Sequence, residues 1–126
     1  MKIVIPVDGK DIEANVCESF GRTPYYLVYD TETEESEFID NSAATSAGGA
    51  GIRAAQAVVD TKANVLLTPR CGENAAEVLE AAGIEIYKTE GTSIKENIDA
   101  FVEGKLSLLD EIHAGFHGHG RGKRGK

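Results

Sequence analysis

The sequence predicts an α/β sandwich, one mixed sheet of five strands covered by three helices. Three observations carry that expectation. Lys2-Ile-Val-Ile-Pro-Val7 and Ala63-Asn-Val-Leu-Leu-Thr68 are short, branched and apolar without strict alternation, as strands buried on both faces are. Three longer stretches, opening near Ala47, Gly72 and Ser93, repeat apolar residues at helical spacing. One pair of strand-like runs is joined by a few acidic, turn-forming residues while the later strands alternate with helices, so antiparallel and parallel pairs share the sheet.

The first strand, Lys2 to Val7, ends at the turn-forming Asp8-Gly9. From Asp8 to Pro24 there is scant periodicity, and loops of this length inside compact domains are usually functional or mobile. This loop holds Cys17, Phe20, Gly21 and Arg22. Tyr25-Tyr-Leu-Val-Tyr29 and Glu35-Ser-Glu-Phe-Ile39 read as strands joined by Asp30-Thr-Glu-Thr-Glu34, most economically as a hairpin. After the polar stretch Asn41 to Ser46, a Gly-rich segment from Ala47 opens the first helix, with Ile52, Ala55, Val58 and Val59 expected on its buried face.

Ala63 to Thr68 is the next buried strand, and Pro69 breaks it. In the second helix Ala75, Val78, Leu79 and Ala82 form the apolar stripe and Gly83 the stop. Ile84-Glu-Ile-Tyr87 follows as a strand. Ser93-Ile-Lys-Glu96 is a capping box for the third helix, in which Ile98, Phe101 and Val102 are expected to face inward until Gly104 ends it. Leu106, Leu108 and Leu109 are expected to fold back onto the core.

With right-handed crossovers for the parallel pairs, this succession fits the strand order 3-2-1-4-5, as in ribonuclease H-like folds. The first strand and the strand ending at Thr68 are then parallel neighbours whose loops leave at the same end of the sheet. Cys71 stands where that second strand hands over to a helix N-terminus, a region where open α/β sheets bind ligands and where the helix field favours thiolate. Cys17 is expected to share its crevice.

At 126 residues the chain is one domain long, read here as an α/β domain over residues 1–112 and a Gly-, His- and base-rich disordered tail over residues 113–126. Two cysteines are too few for a disulfide scaffold, and neither a leader pattern nor a long apolar run is present, so a soluble cytoplasmic protein with reduced thiols is expected. The net charge is −8; the last six residues contribute +4, so the rest carries −12. A body this acidic repels phosphate backbones, and neither nucleic acid nor membrane is expected as a partner.

Soft thiolates at Cys71 and Cys17 match copper, zinc or part of an iron-sulfur cluster, although a complete cluster normally takes four protein ligands. The shortfall implies an exchangeable or shared ligand set. His113, His117 and His119 in the tail form a loose tract suited to weak metal binding. Gly49-Ala-Gly-Ile-Arg-Ala54 fits the form G-x-G-x-x-A but follows a polar loop instead of a strand, so it reads as a tight helix entry or anion nest, not a dinucleotide site. Arg22, Arg53 and Arg70 are placed to neutralise an anion there. Asp8 is the candidate carboxylate of a two-metal hydrolase, but Glu37, Asp40, Asp60 and Asp99 are not convincingly placed to complete it. All histidines crowd the tail, so no Ser-His-Asp or Cys-His pair is assignable.

Taken together in order, Lys2-Ile-Val-Ile-Pro-Val, Phe20-Gly-Arg-Thr-Pro-Tyr-Tyr, Gly48-Gly-Ala-Gly-Ile-Arg-Ala-Ala-Gln, Cys71-Gly-Glu-Asn-Ala, Leu79-Glu-Ala-Ala-Gly-Ile-Glu-Ile-Tyr and Gly91-Thr-Ser-Ile-Lys-Glu-Asn-Ile resemble the dinitrogenase iron-molybdenum cofactor biosynthesis family, the NifX/NifB-type domain, over residues 1–110. The resemblance implies a ribonuclease H-like fold without nuclease activity and a role in binding or carrying an iron-sulfur or iron-molybdenum-type cluster; cluster donor and acceptor proteins, and a monomer or weak dimer, are expected beside it. It maps the family's Phe-Gly-Arg motif onto Phe20, Gly21 and Arg22, the glycine-rich entry onto Gly48, Gly49 and Gly51, and the Gly-x-Asn-Ala turn onto Gly72, Asn74 and Ala75. Two positions depart: Ser19 stands where cofactor-binding relatives often have His, and Glu73 replaces a common Pro.

The expected cluster site is therefore Cys71, Cys17, Arg22, Gly49, Gly51, Arg53, Gly72 and Asn74, with Cys71, Cys17, His117 and His119 as metal ligands. Two rivals stand beside the carrier: a magnesium-dependent hydrolase using Asp8, and a small module binding an anionic metabolite.

Overall fold

The computed structural model describes residues 1–45 and 48–109. Five strands, β1 (Lys2–Val7), β2 (Tyr25–Asp30), β3 (Ser36–Asp40), β4 (Val65–Thr68) and β5 (Glu85–Lys88), form one sheet in the order β3-β2-β1-β4-β5. β1, β2 and β3 pair antiparallel, while β1, β4 and β5 pair parallel. The helices are α1 (Ala50–Asp60), α2 (Glu73–Ala81) and α3 (Ile94–Val102), with a short 3-10 turn at Ser42–Thr45 inside the stretch read as a polar loop.

β1 is central because its alternate residues feed two cores. Val4 packs with Tyr26, Leu66, Ala54, Ala55, Val58 and Leu79 beneath α1 and α2. Ile3, Ile5 and Val7 pack with Leu27, Leu67, Ile94 and Ile98 beneath α3. Each such fully buried aliphatic side chain contributes about 1.5–3 kcal/mol of transfer free energy, which is why these short strands tolerate no polar face. Leu106 and Leu109 do fold back, one into each core, and Leu109 N–H donates to the Ile86 carbonyl, so the segment covers the β5 edge.

Helix faces depart from expectation at three residues. Ile52 is 46% exposed and Val102 61% exposed, and Ala82 lies on the surface beyond the end of α2. In α1 the inward positions are instead Ala50, Ala54, Ala55 and Val58, since small side chains let α1 lie close to Ala75 and Ala76 of α2. In α3 the buried set is Ile94, Asn97 and Ile98, with Phe101 partly buried. Gly83 and Gly104 follow the ends of α2 and α3 as expected. No helix among the described residues is long and apolar enough to cross a membrane.

Candidate functional site

Strand direction decides which loops meet. β1, β3 and β4 all point the same way, and β2 runs against them, so the segments after Val7, before Tyr25, after Asp40 and after Thr68 gather at one end of the sheet. There they line a cleft of about 620 Å³ formed by residues 18–22, 49–52 and 70–75. Of the expected site residues, Cys71, Arg22, Gly49, Gly51, Gly72 and Asn74 line it.

Two expected members do not. Cys17 is half-buried outside the lining, because its N–H is tied to the Pro6 carbonyl at 2.8 Å and its neighbour Val16 to that of Thr92 at 2.9 Å. Arg53 is exposed beyond the lining, one residue past Ile52 on α1. His117 and His119, with His113, lie outside the described residues.

Two helices start at the cleft, and each is preceded by glycine. Gly49 caps α1 with φ 71°, a left-handed conformation that a side chain would strain, and Gly72 caps α2. Neither glycine supplies a side-chain cap, and the first turns of both helices line the same cleft. Gly21 marks a close approach: a Cβ there would sit 3.2 Å from the Cα and 3.3 Å from the nitrogen of Gly51. The Phe20-Gly-Arg segment thus rests directly on the backbone of α1.

The segment is held from behind. The Tyr26 hydroxyl donates to the Phe20 carbonyl, and the two rings lie 5.5 Å apart. Thr23, fully buried, donates to the Val7 carbonyl at 2.8 Å. The Arg22 guanidinium donates to the Ala44 carbonyl at 3.0 Å, and the Arg22 backbone N–H donates to Ser19 Oγ at 3.0 Å. Ser19 therefore shapes the turn. Glu18 and Glu73 join Arg22 and Arg70 on the lining, so the walls carry both signs of charge.

Cys71 corrects the thiolate expectation. It is 2% exposed within the apolar cluster of Phe20, Tyr26, Ala54 and Ala75, and burial pushes its thiol from the ordinary 9.0 up to about 12. Removal of water outweighs the helix field here. Burial is also the main cause that holds the Tyr26 phenol protonated well above its usual range, with Cys71 and Cys17 adding to it. Among the described residues, no group of three or more His, Cys, Asp and Glu side chains is arranged to hold a metal ion. Asp8 accepts from the Asn15 N–H at 3.1 Å, a turn contact outside the cleft.

Sequence reasoning missed Glu18 and Ile52 as wall residues and the buried polar group of Thr23 and Asn41 behind them. The glycine motifs flagged the walls, whereas no local pattern distinguishes a buried Asn from a loop Asn.

The family model described as dinitrogenase iron-molybdenum cofactor matches residues 1–104. An uncharacterized protein of Methanocaldococcus jannaschii is 32% identical over 113 residues, 87% of this chain and 92% of that protein. The apo form of the orange protein from Desulfovibrio gigas superposes with a TM-score of 0.84 at 31% identity, covering 90% of this chain and 96% of that one. A Thermotoga protein described as a candidate NifB protein gives a TM-score of 0.79 at 36% identity, covering 91% of this chain and 98% of that one.

Proposed function

The chain belongs to the dinitrogenase iron-molybdenum cofactor family, and from that premise we propose that it is a non-enzymatic cytoplasmic carrier of a labile iron-sulfur or iron-molybdenum-type cluster. Its cargo is held in the cleft by Cys71 as a thiolate, with Arg22 and the first-turn amides of α1 and α2 offsetting the cluster's charge. The observation that carries this reading is the meeting of one sulfur, two glycine-capped helix starts and the Phe20-Gly-Arg segment around a single open space. Sulfur and N–H donors suit an anionic, sulfide-rich cargo. With fewer than three metal-ligating side chains together among the described residues, the cargo retains ligands of its own, as an exchangeable cluster does.

Cys17 is proposed as an accessory ligand from the neighbouring loop, and His117 and His119 as scavenging donors in the tail. Cluster donor and acceptor proteins would approach the open side, with the carrier a monomer or weak dimer. The ribonuclease H-like label belongs with this proposal as a description of the strand order.

Anaerobic reconstitution with iron and sulfide, with and without molybdate or copper, tests the carrier. Metal and absorbance retained after desalting by the wild type and lost in Cys71→Ser support it; a wild type without metal, or equal loading in the variant, discards it.

The uncapped helix starts also favour a second reading, a module for a small anionic metabolite. Phosphate or nucleotide titration that shifts the amides of residues 48–51, with Cys71→Ser unaffected, would select it over the carrier.

A further inference from the structure

Asn41 follows β3 at the cleft end of the sheet and is 7% exposed. Its amide nitrogen donates to the carbonyls of Gly21 at 3.0 Å and Thr23 at 2.9 Å, one on each side of Arg22. Its amide oxygen accepts from the Ala43 N–H at 3.0 Å, and its own N–H donates to the Pro24 carbonyl at 3.0 Å. Ala44, in the same turn, accepts from the Arg22 guanidinium. Both ends of the Arg22 segment and its charged tip are therefore fastened to one turn.

We infer that Asn41 is a positioning residue for the cleft: it sets where Phe20, Gly21 and Arg22 stand against the first turn of α1. The geometry asks for two donors and one acceptor on a short side chain, which a primary amide supplies. An Asp at this position would set carboxylate oxygen against two carbonyls, and a Ser would keep the acceptor for Ala43 but not span the distance to the segment. Phe20 belongs to the cluster that buries Cys71, so a released segment loosens the cover over that thiol. The bearing on cargo retention rests on the carrier reading, while the bearing on cleft geometry does not.

The molecule contains its own control. Asn97 in α3, 1% exposed, makes the same three-bond clamp, donating to the carbonyls of Glu90 at 3.0 Å and Ser93 at 2.8 Å and accepting from the Glu90 N–H at 2.8 Å, but beside the other core.

The test compares Asn41→Ser and Asn41→Asp with Asn97→Ser, following alkylation of Cys71 by iodoacetamide, read by peptide mass on the metal-free protein. Loss of two buried hydrogen bonds predicts about a tenfold or larger rise in Cys71 alkylation for the Asn41 variants, against less than about twofold for Asn97→Ser at similar loss of stability. Equal rises at both sites, or no rise at Asn41, would overturn the inference. Should neither Asn41 variant fold, the wild type still answers: its Asn41 side-chain amide protons must exchange with solvent as slowly as those of Asn97, and fast exchange overturns it. Iron and sulfide retention in Asn41→Ser is expected to fall about tenfold or more by the same loss. A wild type without metal defeats the carrier reading while leaving the alkylation contrast to judge the clamp.

Discussion

α3 and the pair α1 and α2 start in opposite ways. Ser93 caps α3 by accepting from the Glu96 N–H at 3.1 Å, and Asn97 ties the preceding turn to the helix. α1 and α2 begin at Gly49 and Gly72 with no side-chain cap, and both face the cleft. The Ser93 hydroxyl satisfies one first-turn N–H of α3, whereas the glycine starts of α1 and α2 supply no side-chain acceptor.

The largest effect that would break this contrast is on loading. Cys71→Ser should lower retained iron by about tenfold or more, equal to about 1.4 kcal/mol or more of binding, while Ser93→Ala leaves it unchanged. Equal losses, measured by metal analysis after desalting, would erase the functional difference between the two ends.

Proton linkage comes next. Binding a metal requires the Cys71 thiolate, so with a thiol at about 12 the apparent affinity should rise by about tenfold per pH unit across neutral pH, one proton leaving per site. Stability of the metal-free protein has the opposite sign. Folding favours the protonated thiol, so the contribution is whole below about pH 9 and is lost as pH climbs toward about 12. Urea denaturation across that range should show a weaker alkaline decline in Cys71→Ser, and Tyr26, raised in the same direction, contributes to the decline that stays.

Gly21→Val sharpens the contrast on the structural side. Its added carbons meet the Gly51 backbone, and a loss of about 1–3 kcal/mol in denaturant midpoints is expected, together with weakened loading. Ser93→Ala, the smallest change, should cost about 1 kcal/mol through the lost cap alone.

The strand order was legible because β1 and β4 are apolar on both faces, which forces them to the centre, and because Ser93 to Glu96 announces a helix start chemically. The walls of the cleft were legible through glycines, which mark backbone that must approach or bend. Less was readable where a residue's neighbours come from distant segments. Ile52 and Val102 fit an apolar stripe yet are exposed, since the turn of a helix about its axis is set by what packs beneath it: the alanines shared by α1 and α2 for Ile52, and Ile94, Asn97 and Ile98 for α3.

The sequence by itself determined that one mixed sheet forms, that its C-terminal edge gathers glycine-rich loops, and that a cysteine stands at one of them, because periodicity and turn chemistry are local properties. Only the tertiary structure decided that Cys71 is a buried thiol of high pKa, that Cys17 and Arg53 fall outside the lining, and that Asn41 fastens the Arg22 segment. Desolvation and hydrogen-bond closure depend on groups far apart in the chain, and the fold alone brings those together.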